Sequence, residues 1–404
     1  MVKDNVGDNV DVSKLPVLNV GMVGHIDHGK TTLLQALSGK FADQHSEELK
    51  RGITIKLGYA DVIIRKNKND YNIEDGEPVR YITFIDVPGH EMLMATMLSG
   101  SAMIDVAILV VASNEGIKSQ TREHLIALEA KKIKNIIIVQ NKIDLVSKEE
   151  AVKKYKEIKT FIKGTVAENA VIIPVSALQK ININKIYECL ADIKIPDRTN
   201  SGDPFFIVAR SFDVNRPGTK INELNGGVLG GALKQGTLKI GDEIEIKPGM
   251  VIKEKDRVKY ETVKTKIISL YRGSHAISEA IPGGSLSIET SLDMFFTKSD
   301  KLSGCVAGLA GKVPEISYSL KVKATHFKEV FGLEGHVGVE DFRPGETLML
   351  SVNTSVTIGK VIRVKDGVIE FQLNIPVVPF SGDNVGIARN INGHWRLVGF
   401  GEIA

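Results

Sequence analysis

The feature that most constrains this chain is a glycine-rich stretch at residues 24–32, GHIDHGKTT, which follows an apolar run and precedes a helical one. Four of its residues fit the phosphate-loop pattern G-x-x-x-x-G-K-[ST], namely Gly24, Gly29, Lys30 and Thr31. In such a loop, backbone N–H groups and the positive end of the following helix surround a phosphate. The pattern therefore predicts a strand–loop–helix unit, and hence a nucleotide-binding domain of the α/β class.

Side chains of the loop have separate predicted roles. Lys30 is expected to reach the outer phosphates, and the Thr31 hydroxyl is expected to bind Mg²⁺. A metal site built on His25 and His28 is a poorer interpretation, because neither a cysteine nor a Glu-x-x-His partner lies near them. A loop that merely turns the chain is the third interpretation, and the rest of the sequence has to decide among the three.

Composition limits the class of protein. A chain of 404 residues with 43% hydrophobic and 25% charged residues is typical of a soluble protein of two or three domains. Its net charge of +3 permits an RNA partner without arguing for one. The longest apolar runs are far shorter than the roughly 20 residues that a membrane span needs, and the polar first residues are unlike a signal peptide.

Cysteine usage indicates the cytoplasm. Cys189 and Cys305 lie far apart in different predicted domains, so neither a disulfide framework nor a cysteine zinc site is expected. Both are interpreted as buried small apolar residues. We therefore expect a cytoplasmic protein.

The first half of the chain alternates apolar runs with helical stretches. The runs are VLNVGMV, YITFIDVPG, VAILVVAS, NIIIVQNKID and AVIIPVSA. This alternation predicts a doubly wound, mostly parallel sheet over residues 17–197, with its ligand at the carboxyl ends of the strands. Residues 1–16 are expected to form a short disordered arm.

A different pattern follows the linker IPDRTNSGDP. Segments such as GTLKIGDEIEIKPG and GKVIRVKDGVIEFQL alternate apolar and polar residues between tight turns. We predict two β-barrels, at residues 198–313 and 314–404. The lysine-rich stretch KPGMVIKEKDRVKYETVKTK is either a solvated hairpin, which we favour, or an RNA-binding patch.

The stretch DVPGH is the second candidate phosphate element. Asp86 ends a predicted strand, where its carboxylate can hold Mg²⁺ through water. The N–H of Gly89 can bond a γ-phosphate at the turn that follows. Alone, Pro-Gly most often marks only a turn, but one strand after a phosphate loop it indicates a nucleotide site.

The stretch NKID indicates which base is bound. A carboxylate at Asp144 can accept hydrogen bonds from N1–H and the exocyclic amine of guanine, and adenine has no such donor pair. Lys142 can lie along the base, and Asn141 can tie this loop to the phosphate loop. Helix capping is the alternative, because Asn and Asp favour strand-to-helix junctions. Further base contacts are predicted at the end of the last strand, where a backbone N–H can donate to O6 of guanine. The candidates are Ser176, Ala177 and Leu178.

The stretch RGITI, residues 51–55, lies in a polar region between the first helix and the Asp86 strand. A threonine there, Thr54, can complete the Mg²⁺ shell only while the γ-phosphate is present. Such a loop orders with GTP and relaxes after hydrolysis.

Together these motifs resemble the translational GTPases of the elongation factor Tu group. Segments outside the motifs, such as KLGYADV, RSFDVNRPGT, GGVLGGAL and HWRLVGFGEI, resemble the gamma subunits of archaeal and eukaryotic translation initiation factor 2. The resemblance runs from about residue 17 to the end of the sequence. It implies one GTP-binding domain and two β-barrels.

The resemblance also implies a set of site residues. His90 would orient the attacking water, with Ile26 and Ile53 as an apolar gate, so that intrinsic hydrolysis is slow and is accelerated in trans. Asp27 and the Gly52 carbonyl would hold a second ion. The implied nucleotide contacts are Asp27, His28, Gly29, Lys30, Thr31, Thr32, Gly89, Asn141, Lys142, Asp144, Ser176, Ala177 and Leu178; the implied metal ligands are Asp27, Thr31, Gly52, Thr54 and Asp86.

The implied function is delivery of methionyl initiator tRNA to the small ribosomal subunit. The implied partners are the alpha and beta subunits of the factor, an activating protein and an exchange factor, and Tyr59 is either near the tRNA pocket or in the core. Many members carry a cysteine-rich zinc knuckle where this chain has RKNKNDYNIEDGEP, so we expect no zinc. The selenocysteine-specific elongation factor, which usually has a further C-terminal domain, and a GTP-responsive assembly scaffold are the alternatives.

Overall fold

The apolar runs of the first half form one mixed β-sheet. The computed structural model describes residues 10–39, 58–68, 70–87, 103–254, 257–327, 329–330 and 337–404. Within them, the sheet has the order β3-β2-β4-β1-β5-β6-β7. Its strands are β1 (Val17–Gly24), β2 (Gly58–Asn67), β3 (Asp70–Asn72), β4 (Glu77–Asp86), β5 (Val106–Ala112), β6 (Asn135–Asn141) and β7 (Val171–Pro174).

Parallel pairing brings the site segments to one edge of this sheet. Strands β4, β1, β5, β6 and β7 are parallel, whereas β2 and β3 form an antiparallel edge. The ends of β1, β4 and β6, at Gly24, Asp86 and Asn141, therefore lie at the same edge. This is the edge at which the sequence predicts a ligand.

Helices cover both faces of the sheet. Alternate residues of β5 enter opposite apolar clusters, Ala107 and Leu109 in one and Ile108 and Val110 in the other. The helices of the described residues are α1 (Lys30–Ser38), α2 (Ser119–Ala130), α3 (Lys148–Phe161) and α4 (Ile183–Asp192). Helices α1 and α4 pack on one cluster, and α2 and α3 pack on the other. The doubly wound prediction is confirmed.

The residues before β1 differ from the expected disordered arm. Val12 is buried in the core of the first barrel together with Val17, and Val10 and Leu15 pack against the same cluster. Apolar residues spaced along residues 10–17 explain this packing, because a short segment can bury them on a neighbouring surface. Residues 1–9 lie outside the described residues.

The first barrel is a closed ring of antiparallel strands. Its ring order is β11-β16-β8-β9-β15-β12, and pairing of β11 with β12 closes it. The strands of this region are β8 (Phe205–Phe212), β9 (Val228–Gln235), β10 (Leu238–Lys239), β11 (Glu243–Glu254), β12 (Arg257–Arg272), β13 (His275–Ile277), β14 (Glu279–Ala280), β15 (Leu286–Thr290) and β16 (Val306–Leu309). The lysine-rich stretch forms the β11–β12 hairpin.

The second barrel closes in the order β17-β22-β21-β20-β23-β24. Its region contains β17 (Ser317–His326), β18 (Glu329–Val330), β19 (Val337–Gly338), β20 (Thr347–Val352), β21 (Ser355–Lys365), β22 (Val368–Val377), β23 (Asn384–Ile391) and β24 (His394–Ile403). An α/β domain followed by two β-barrels confirms the predicted fold class. The predicted domain limits at 197, 198, 313 and 314 remain predictions.

Ion pairs join the linker and the second barrel to the α/β domain. Arg198, in the linker, pairs with Asp105 at 2.5 Å, and Arg396 of β24 pairs with Glu123 of α2 at 2.5 Å. The pair of Arg396 with Glu123 is buried, and such a pair fixes the position of the groups that carry it, since separating the partners leaves a buried charge. In the described part of the chain, no helix is both long and apolar enough to cross a membrane.

Candidate nucleotide-binding site

The phosphate loop joins the end of β1 to the start of α1. Gly29, at the N-cap, has φ 86° and ψ 31°, and no side chain caps the helix. The first-turn N–H groups of Lys30, Thr31 and Thr32 therefore lack partners within the helix. Together with the helix dipole, they form a site that favours an anion such as a phosphate.

Gly29 also permits a close approach. A Cβ at this position would lie 2.5 Å from Nδ2 of Asn141, and the positive φ is one that other residues rarely adopt. Glycine is thus required at position 29 for two reasons: the Asn141 side chain of β6 leaves no room for a Cβ, and the backbone has a positive φ.

Lys30 is buried against its own loop. Its Nζ donates to the Gly24 carbonyl at 2.9 Å and to the His25 carbonyl at 2.8 Å. Burial lowers the pKa of Lys30 to about 8, although the carboxylates of Asp86 and Asp27 act in the opposite direction. To reach a phosphate, this ammonium group has to exchange loop carbonyls for phosphate oxygens.

Thr31 and Asp86 meet although they lie 55 residues apart. The Thr31 hydroxyl donates to Oδ2 of Asp86 at 3.0 Å, and Asp86 is fully buried at the end of β4. A hydroxyl and a carboxylate side by side, next to the anion site, are the oxygen ligands that Mg²⁺ takes beside a nucleotide. These residues therefore fit a magnesium ion.

Asn141 joins the loops of three strands. Its Nδ2 donates to the His28 carbonyl at 3.0 Å, and its Oδ1 accepts from the Ala177 N–H at 3.0 Å. The side chain is 2% exposed, so both bonds are shielded from water. It thereby ties the phosphate loop to the segment after β7. Helix capping does not describe it, because α3 is capped by Ser147, whose hydroxyl accepts from Glu150 N at 3.2 Å.

The other two predicted base contacts in NKID, Lys142 and Asp144, follow Asn141 at the same edge. Asp144 is exposed in a short 3₁₀ turn, Ile143–Leu145. Lys142 has φ 60°, and its Nζ lies 3.9 Å from the Glu115 carboxylate. The exposed carboxylate of Asp144 is therefore open to a ligand.

Backbone bonds distinguish the three candidate contacts after β7. The N–H of Ser176 donates to the Ile181 carbonyl at 3.3 Å, and that of Ala177 is taken by Asn141. Of the three predicted donors, the N–H of Leu178 is the one that these bonds leave available for O6 of a base. Leu178 is 73% exposed.

His28 belongs to the core rather than to the phosphate surface. Its side chain is fully buried, and Nδ1 lies 3.2 Å from the Val110 carbonyl. Burial lowers its pKa to about 4, so the ring is neutral near pH 7. Only the backbone of His28 can therefore contact a phosphate. The same burial disfavours the alternative of a metal site shared with His25.

Two residues of α2 contact the phosphate loop, and the motifs did not identify them. Oε1 of Gln120 accepts from Ile26 N at 3.1 Å, and Nδ1 of His124 accepts from Gly24 N at 2.7 Å. Burial lowers the pKa of His124 to about 3, which keeps its ring neutral and able to accept. Polar residues at i, i+3 and i+4 on the buried face of α2 were the available signal.

The remaining predicted residues divide into three groups. Asp27 and Thr32 are exposed beside the loop, where a ligand can reach them. Tyr59 is in β2, and burial raises the pKa of its hydroxyl. Gly52, Ile53, Thr54, Gly89 and His90 lie outside the described residues.

Two family models match the chain. One, described as "Elongation factor Tu GTP binding domain", matches residues 15–196. The other, described as "Initiation factor eIF2 gamma, C terminal", matches residues 318–403.

Similar proteins match nearly the whole of the sequence. One from Thermoplasma volcanium, described as "Translation initiation factor 2 subunit gamma", is 49% identical over 97% of this chain and 99% of its own length. Proteins with the same description from Pyrococcus horikoshii and Methanocaldococcus jannaschii are 49% and 46% identical, over 96% and 97% of this chain and 97% and 98% of their own lengths.

Solved structures share the fold. A bacterial selenocysteine-specific elongation factor, EF-Sec, superposes with a TM-score of 0.74 and 25% identity, over 96% of this chain and 58% of that chain. Elongation factor SelB from Methanococcus maripaludis, with the GTP analogue GppNHp, gives a TM-score of 0.71 and 22% identity, over 96% of this chain and 79% of that chain.

Proposed function

This chain belongs to the gamma subunits of translation initiation factor 2, a family of GTP-hydrolysing translation factors, and on that premise we propose what its nucleotide site controls. With GTP bound, the chain binds methionyl initiator tRNA and delivers it to the small ribosomal subunit. Hydrolysis, stimulated in trans, releases the tRNA. The alpha subunit of the factor binds the first barrel, and the beta subunit binds the back of the α/β domain. The assembly acts in the cytoplasm, and nucleotide exchange takes place with or without an exchange factor.

The observation that carries the proposal is the pair of hydrogen bonds made by the Asn141 side chain. One buried amide holds both the His28 carbonyl and the Ala177 N–H, so the phosphate and base segments keep a fixed spacing. A nucleotide that contacts both segments is then bound without first ordering them, which lowers the entropic cost of binding. Asp144 selects guanine, because an adenine would leave its carboxylate without the paired donors.

Thr31, Asp86 and Thr54 would hold the magnesium ion, and Asp27 and the Gly52 carbonyl would hold a second ion. The magnesium ion, when bound, neutralises charge on the β- and γ-phosphates. Lys30 leaves the Gly24 and His25 carbonyls and donates to the phosphate oxygens. Gly89 donates its N–H to the γ-phosphate.

Hydrolysis by the isolated chain is slow in this proposal. His90 orients the attacking water, and Ile26 and Ile53 keep it away until an activating protein acts. The observation that supports such a gate is the anchoring of Ile26, whose N–H is held by Oε1 of Gln120 at 3.1 Å. A fast single-turnover rate of the chain alone would contradict the gate.

Filter binding with a panel of charged tRNAs tests the function. The chain, with the alpha subunit of the factor added, is mixed with initiator methionyl-tRNA, elongator methionyl-tRNA or selenocysteinyl-tRNA, each with a non-hydrolysable GTP analogue or GDP. We expect retention of the initiator tRNA with the analogue and much weaker retention with GDP, because two nucleotides can switch binding only if they favour different states.

A matched pair of variants controls this assay. Thr31→Ala removes the hydroxyl beside Asp86 and should abolish the dependence on the GTP analogue. Thr160→Ala, on the exposed side of α3, should behave like the wild type. Preference for selenocysteinyl-tRNA would assign the chain to that elongation factor instead. Tight guanine-nucleotide binding with no tRNA retained would favour the assembly scaffold.

A further inference from the structure

A buried polar cluster lies where the α/β domain and both barrels meet. Lys131, directly after α2, is 8% exposed, and its Nζ donates to the Ser351 hydroxyl and the Asn384 carbonyl, both at 3.2 Å. Lys234 of β9 donates to Oδ1 of Asp383 at 2.8 Å and to Oδ1 of Asn353 at 2.8 Å. We call these residues, from three domains, the junction cluster.

Charge in the junction cluster is unevenly distributed. In the described part of the chain, two ammonium groups face a single carboxylate, Asp383, and Lys234 takes the direct ion pair with it. Among the described residues, no carboxylate pairs directly with Lys131. The charged groups that act on Lys131 are Lys234 from the first barrel, which opposes its charge, and Asp383 from the second barrel, which favours it.

A buried ammonium with two neutral acceptors is costly, because a charge removed from water needs a partner of opposite charge. The cost falls on docking of the second barrel, since Ser351 and Asn384 both belong to that barrel. Loss of the Lys131 proton removes the cost while leaving a neutral amine that can still donate to both acceptors.

We propose that the junction cluster is a proton-linked latch, in which docking of the second barrel onto the α/β domain releases the proton of Lys131. Burial lowers the pKa of docked Lys131 to about 7, and an exposed lysine titrates at about 10.4. Between these values the undocked state binds more protons, so docking tightens as pH rises, by about tenfold per pH unit. Below about pH 7 both states carry the proton, and docking becomes independent of this group.

Labelling of an interface cysteine measures how docking of the second barrel depends on pH. Leu397 of β24 is 6% exposed and shares an apolar cluster with Leu125 and Leu128 of α2, so a cysteine there reacts when the barrel undocks. Leu397→Cys is placed in the full chain with Cys189→Ser, and its labelling rate is divided by that of a matching peptide at each pH. We expect this ratio to fall by about tenfold per pH unit between pH 7 and pH 9.5.

Two neighbouring lysines provide matched variants. Lys131→Met should make the labelling ratio low and independent of pH. Lys132→Met changes the next residue, whose ammonium forms an exposed ion pair with Glu402, and should keep the wild-type slope. A Lys131→Met variant that keeps the slope, or a wild type without a slope, overturns the proposal.

A third variant tests the sign of the charge coupling. Lys234→Met removes the competing ammonium and frees Asp383 to face Lys131, so the pH at which docking begins to tighten should move upward. A downward movement would contradict the latch, because it would mean that Lys234 does not oppose the charge on Lys131.

Discussion

At the residue scale, Asp144 is the position on which base specificity depends. The motif predicted its place at the end of a buried strand, and the structure leaves its carboxylate exposed beside Lys142. Replacement by asparagine exchanges one acceptor for a donor, so guanine loses part of its donor pairing, whereas xanthine, with a carbonyl at that position, gains a partner.

We therefore expect Asp144→Asn to weaken GDP binding by about 10³-fold or more and to favour xanthosine diphosphate. Competition against a fluorescent guanine nucleotide measures both preferences. Glu149→Gln, an equally exposed acid-to-amide change in the first turn of α3, is the control and should leave them unchanged. An Asp144→Asn variant that still prefers guanine would remove this residue from base recognition.

The sequence motifs predicted where the site residues lie in the fold better than they predicted which way the side chains point. Spacing along the chain identified Lys30, Thr31, Asp86 and Asn141, and the structure brings their side chains to one edge of the sheet. The same spacing could not predict that the ring of His28 turns into the core, because that depends on space beneath β5. Packing between distant elements decides such orientations, and no local pattern records it.

At the element scale, α2 positions the phosphate loop. The sequence predicted a helical stretch between two apolar runs here, and polar residues occupy part of the buried face of the helix. Gln120 and His124 each accept a loop N–H, which leaves the first-turn donors of α1 for a phosphate. A polar residue on a buried face is the sequence signal of such a contact, but its partner is visible only in the fold.

Removal of the His124 acceptor should loosen the loop. In His124→Leu the Gly24 N–H becomes a buried donor without a partner, which costs about 1–3 kcal/mol. We expect nucleotide affinity to fall by about 10- to 100-fold, as measured by isothermal titration calorimetry. His124→Asn keeps an acceptor near the position of Nδ1 and should recover most of the affinity. Equal losses in both variants would show that the ring acts by its volume instead.

At the scale of the whole molecule, the pattern of the sequence predicted three domains but not how they are joined. Alternating apolar residues indicated each barrel separately, since each barrel has its own core. The joining groups are single charged residues far apart in sequence, such as Arg198 with Asp105 and Arg396 with Glu123. Isolated charges are usually solvated, so the sequence alone gives no reason to pair them.

These joints should make the chain unfold as one unit. Arg396→Met leaves the carboxylate of Glu123, which is 5% exposed, without its arginine, at a cost of about 3–5 kcal/mol to docking of the second barrel. We expect differential scanning calorimetry to show one transition for the wild type and two for Arg396→Met, with the second barrel unfolding first. Glu123→Gln combined with Arg396→Met should bring the two transitions closer, because both charges of this pair are then removed. Lys132→Met breaks an exposed pair between the same two domains and should leave one transition. An unchanged thermogram for Arg396→Met would mean that apolar contacts alone hold the second barrel in place.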